Sequence, residues 1–132
     1  MKIIYIFSAM LSFGMLFSSC KKEEVVIPNR TIFVDVTPDM WELVPASNTY
    51  QVAIDMPELD NYTSDANSVQ VDLSFNDGAS YEALPQVYGG VTYLYSYGPG
   101  TLYLDVQTAD GVEPVRLNST ILVKIVLIAS QY

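Results

Sequence analysis

The chain has 132 residues and a formal charge of −9, with fifteen acidic residues against six basic ones, no histidine and a single cysteine. From Thr31 onward only Arg116 and Lys124 oppose thirteen carboxylates, a balance of −11 that repels phosphate backbones and anionic membrane surfaces and so argues against nucleic-acid binding. One cysteine excludes an intrachain disulfide, and the lack of histidine removes the commonest general base and metal ligand.

The chain opens with Lys2 and an apolar run from Ile3 to Phe17 broken only by Ser8, Ser12 and Gly14, the layout of a secretory signal peptide over residues 1–19. This run falls short of the roughly 20 apolar residues that a membrane-spanning helix needs. Ser18 and Ser19 then precede Cys20, and the junction resembles the lipobox of bacterial lipoproteins. The resemblance implies cleavage just before Cys20, a diacylglycerol on its thiol and an acyl group on the new amino terminus. Phe17 stands where that family more often has Leu, Val or Ala. Lys22-Glu23-Glu24 resembles the signal by which Bacteroidetes-type bacteria send lipoproteins to the outer face of the outer membrane, so the implied partner is a membrane, reached through the lipid anchor. The competing reading, a secreted protein with a spectator cysteine, leaves a free thiol in an oxidising compartment.

Cys20 and the tether that follows occupy residues 20–30, and the ten residues from Lys21 to Arg30 reach at most about 33–36 Å when extended. Pro28 limits helix formation there. From Thr31 to the end the apolar pattern has period two, which predicts strands with one buried face. Ile32, Val34 and Val36 alternate up to Pro38, and Tyr50, Val52, Ile54 and Met56 alternate up to Pro57. Residues 56–67 read as a loop or a single turn. Val69, Val71, Leu73 and Phe75 run into Asn76-Asp77-Gly78, a tight-turn signal, and Ser80 to Leu84 is expected to return antiparallel. Gly89-Gly90 and Gly98-Pro99-Gly100 separate three further strands, Gln86 to Tyr88, Val91 to Tyr97 and Thr101 to Thr108. Asp110-Gly111 opens a loop towards Asn118. Thr120 to Ala129 is apolar on both faces around Lys124 and reads as a central strand covered on both sides, with Lys124 near an end or a gap. About seven short strands with Gly, Pro and Asp punctuation predict an antiparallel, immunoglobulin-like β-sandwich over residues 31–132.

The segments Ile54-Asp55-Met56-Pro57-Glu58-Leu59, Val69 to Phe75, Tyr81-Glu82-Ala83-Leu84-Pro85 and Val123 to Ile128 are similar to those of a group of small Bacteroidetes lipoproteins that carries no assigned activity. The resemblance implies a fold and a location and leaves function open.

Tyrosine is the conspicuous residue type. Tyr93, Tyr95 and Tyr97 share one face of a strand, with Tyr81, Tyr88 and Tyr103 on its neighbours. Such rings can stack on the apolar faces of sugars, although cross-strand packing inside the fold explains them more simply. Trp41, between Pro38 and Pro45, reads as a plug over one end of the sandwich or as a ligand contact. Paired carboxylates could serve glycoside hydrolysis, but a small sandwich offers little room for a cleft. Asp60, Asn61, Asp65, Asn67 and Asp77 could serve calcium, without the spacing of a known calcium loop. Neither a serine-nucleophile motif nor a phosphate-cradling glycine loop is present. The expectation is a lipid-anchored envelope protein, without enzymatic activity, cofactor or metal, whose sandwich binds a glycan or protein ligand or serves adhesion or structure. The alternative is a carbohydrate-binding accessory module using the Tyr93, Tyr95 and Tyr97 face.

Overall fold

The computed structural model describes residues 28–130. The leader, Cys20, Lys22, Glu23 and Glu24 lie outside the described residues. Among the described residues nine strands form: β1 (Arg30–Val36), β2 (Glu42–Val44), β3 (Thr49–Met56), β4 (Ser68–Ser74), β5 (Glu82–Ala83), β6 (Gln86–Tyr88), β7 (Val91–Gly98), β8 (Gly100–Thr108) and β9 (Ile121–Ile128). They make two antiparallel sheets, one in the order β1-β9-β4-β5 and one in the order β2-β3-β8-β7-β6. The fold is therefore an antiparallel β-sandwich.

The period-two alternation does the work expected of it. Val69, Val71 and Leu73 of β4 and Ile121, Val123, Ile125 and Leu127 of β9 are buried against Val52, Ile54 and Met56 of β3 and Leu102, Leu104 and Val106 of β8. Each fully buried side chain of this size contributes roughly 1.5–3 kcal/mol through removal from water. Of the three short strands, β5 lies within the expected Ser80 to Leu84 return and β6 is the expected Gln86 to Tyr88, while β2, three residues long, is too short for periodicity to register.

Turn chemistry sets the hairpins. Tyr88 faces Val91 across Gly89-Gly90, whose φ angles of 58° and 77° are the two positive values of a type I′ turn. Gly98 faces Thr101 across Pro99-Gly100, and Gly100 has φ of 81°, the left-handed third position of a type II turn. Asn61–Ala66 forms a short helix, α1, in the region expected to be a loop or one turn. The Asp60 carboxylate caps it by accepting from the Thr63 N–H at 2.7 Å, and buried Leu59 pins the segment to the core.

Two expectations for the last strand are corrected. β9 is central in its sheet, but only its inner face is covered, since Leu122 and Val126 on the other face are half-buried and Ile128 is exposed. Lys124 sits mid-strand on this open face rather than at an end or gap. Its Nζ lies 3.1 Å from Asp72 Oδ2 on the adjacent β4 and 4.1 Å from the centroid of the Tyr81 ring. A partly buried ammonium is tolerated because a carboxylate and a ring face replace its lost water.

Candidate functional site

The tyrosine ladder faces inward. Tyr93 pairs with Val106, Tyr95 with Leu104 and Tyr97 with Leu102, all of them core residues of β8, so register alone puts the three rings on the buried side of the sheet. Tyr93 is 6% exposed, and Tyr95 and Tyr97 are half-buried against the core. The three rings pack between the sheets, the simpler of the two readings, and form no flat exposed platform as the carbohydrate-binding alternative requires. Burial, with a smaller contribution from the neighbouring Tyr88, pushes the Tyr93 hydroxyl pKa up. Tyr95 is raised by burial first, then by Tyr97 and Asp72.

Tyr95 has a defined task. β5 pairs with β4 only at Asp72 and Leu73, which leaves the earlier part of the β4 edge without a neighbouring strand. The Leu84 N–H reaches the Val71 carbonyl at 2.9 Å, and the Tyr95 hydroxyl donates to the Val69 carbonyl at 2.7 Å, crossing from one sheet to the other. A buried backbone acceptor is thus satisfied by a side chain where the strand runs out.

Trp41 is 4% exposed and lies in the core, so it plugs the sandwich and offers no ring face to a ligand. Its indole Nε1 is buried without a hydrogen-bond partner among the described residues.

Two exposed aromatic rings meet at the seam where the chain passes from β5 in one sheet to β6 in the other. Register puts Gln86 and Tyr88 on the same face as Tyr93, and with β5 so short the opposite sheet does not extend far enough to cover them. Phe75, just past β4, closes part of the gap. Its ring lies 5.4 Å from Tyr93 in a tilted contact and 5.8 Å from Tyr88, nearly parallel at 14°. Phe75 is 38% and Tyr88 53% exposed, so each ring keeps accessible surface. Beside them the Gln86 amide donates to Glu82 Oε2 at 2.8 Å across the same corner. Two aromatic rings beside an amide–carboxylate pair form a shallow lip suited to stacking and rim hydrogen bonds. Phe75 escapes sequence reasoning because its place in the Val69, Val71, Leu73 alternation marks it as core; the length of the opposing strand is what uncovers it.

The acidic loop is occupied structurally. Asp60 caps α1, and Asn67 Oδ1 accepts from the Ser130 N–H at 3.3 Å. Hydrogen bonds, first from the Thr63 backbone, hold the Asp60 carboxyl below its ordinary pKa, which is the usual effect of capping. Among the described residues no cluster of three or more His, Cys, Asp or Glu is placed to hold a metal ion, and no cavity opens. Comparison of the chain with protein-family models, with curated proteins and with solved structures gives no match.

Proposed function

We propose that this protein is a lipid-anchored component of the cell envelope, held at the outer membrane through Cys20 and facing outward, whose β-sandwich is a non-enzymatic binding, adhesion or structural module. The observation that carries this reading is the spacing between anchor and fold. The apolar leader ends at the only cysteine, and the first paired residue of the sandwich, Arg30, follows ten positions later. That tether holds the domain within about 33–36 Å of an acylated Cys20. Three acyl chains give firm attachment, since each buried methylene adds about 0.8 kcal/mol. The test is metabolic labelling with an alkyne fatty acid: the wild-type chain takes up label and Cys20→Ser does not, whereas equal labelling removes the anchor. Substituting Lys22, Glu23 and Glu24 by alanine is expected to abolish antibody access on intact cells while leaving membrane attachment in place.

A second reading is favoured by the exposed Phe75 and Tyr88 rings beside Glu82 and Gln86: recognition of a neutral glycan, since the acidic body repels anionic ones. It moves the carbohydrate site from the Tyr93, Tyr95 and Tyr97 face to the seam. A glycan array probed with the full chain in detergent is expected to return neutral sugars whose binding Tyr88→Ala abolishes. Sugar binding insensitive to both Tyr88→Ala and Phe75→Ala, or none at all, removes this reading.

A further inference from the structure

We propose that β1 is a pairing edge through which two copies of this chain join their four-stranded sheets into one continuous antiparallel sheet. A sandwich has four sheet edges, and an open edge is a row of unpaired N–H and C=O groups that invites another strand. Three of the edges here are blunted by brevity, with β5 two residues long and β2 and β6 three each. β1 is the exception. All seven of its residues pair with β9 on one side, and among the described residues no turn or loop hydrogen bond engages residues 31–36 on the other. Neither proline nor a lysine interrupts it.

The strand is complementary to itself. With Phe33 at its centre, a two-fold axis through that residue pairs every position. Phe33 faces Phe33 of the second copy, Ile32 faces its Val34, Thr31 faces its Asp35 and Arg30 faces its Val36. Because side chains alternate faces with period two, this register matches inward positions with inward ones and outward with outward, so the cores of both sandwiches stay on the same side of the joined sheet. A shift of one residue would oppose Phe33 to Ile32 and turn one copy inside out. The register also sets no like charges opposite each other. Phe33, 56% exposed and without an aromatic neighbour on its own sheet, gains one in the pair. The meeting of the two exposed Phe33 rings, with no like charges opposed, favours a second copy over an unrelated extended peptide.

Cross-linking of the full chain in the membranes of cells that make it tests the register, with wild type as the control for Cys20. Directly opposed positions on paired strands come close enough for a disulfide, whereas positions offset along the strand do not. Phe33→Cys is expected to give several-fold more disulfide dimer on mild oxidation than Thr31→Cys or Asp35→Cys alone, and Thr31→Cys mixed with Asp35→Cys is expected to yield the heterodimer. Dimer from Phe33→Cys at the wild-type level, or equal dimer at all three positions, overturns the proposal. Sedimentation in detergent provides an independent readout: wild type carries two chains per particle and Phe33→Lys one. One chain per particle for wild type overturns it equally, whatever else lies against the edge.

Discussion

Replacing Tyr95 by phenylalanine deletes one hydroxyl and leaves the ring in place, so hydrophobic burial is nearly unchanged and the effect isolates a single hydrogen bond. That bond, 2.7 Å to the Val69 carbonyl, ties the five-stranded sheet to the four-stranded one and satisfies an acceptor on a buried residue where β5 has ended. A typical intramolecular hydrogen bond contributes about 0.5–1.5 kcal/mol net, and stranding a buried acceptor costs about 1–3 kcal/mol. Tyr95 is half-buried, so water reaches part of the vacated position and the lower half of the combined range applies. The expected loss is about 0.5–1.75 kcal/mol, or roughly 4–8 °C in Tm per kcal/mol for a domain near 100 residues. Urea unfolding read through the fluorescence of Trp41, the only tryptophan and a buried one, measures it directly. Tyr97→Phe is the internal reference, because the Tyr97 ring occupies the same face while its hydroxyl makes no hydrogen bond among the described residues. An unchanged urea midpoint for Tyr95→Phe, or equal losses for the two variants, would refute the assignment of this bond as the cross-sheet tie.

The remaining predictions concern the core, the open face and pH. Trp41→Ala is expected to lower stability by about 3–5 kcal/mol through the cavity it leaves, while Trp41→Phe, which also removes the unpartnered buried N–H, loses clearly less; calorimetry separates the two. A double-mutant cycle on Lys124→Met and Asp72→Asn is expected to give a coupling of about 1 kcal/mol that weakens with added salt, since the pair is only partly buried. Raising the pH destabilises the fold through Tyr93 and Tyr95. Both hydroxyls have raised pKa values in the native state, so the unfolded chain releases its protons first. Their contribution is complete below the ordinary tyrosine value near 10 and falls as pH climbs above it, and Tyr95→Phe flattens that alkaline loss in urea titrations.

The long strands were legible because each buries one face, and burying one face of a pleated strand forces apolar residues to every second position. β3, β4, β7, β8 and β9 all satisfy that rule, and Gly89, Gly90 and Gly100 carry the positive φ angles that the turns beside β7 require. β6 was legible from the glycine pair that follows it and β5 only as part of the longer Ser80 to Leu84 return, whereas β2 was beyond reach, since three residues hold no period and the strand depends on β3 offering hydrogen bonds. Lys124 was misplaced for a related reason. Leu122 and Val126 beside it suggested a doubly covered strand, whereas they line an open face on which Asp72 and Tyr81 shelter the ammonium.

The sequence by itself determined the class of fold, the main turns and the acidic balance of the chain, because each of these depends on residues close together in the chain or on composition. Which way the tyrosines face was decided only by tertiary structure. Alternation puts Tyr93, Tyr95 and Tyr97 on one side of a strand but cannot say which side meets the core, since that depends on pairing with Val106, Leu104 and Leu102 on the next strand. The same holds for the exposed aromatic lip and the open β1 edge. The lip arises where β5 is too short to cover the opposite sheet and the edge where no further strand among the described residues pairs with β1, and the extent of a sheet belongs to the strands that meet in it rather than to any one of them.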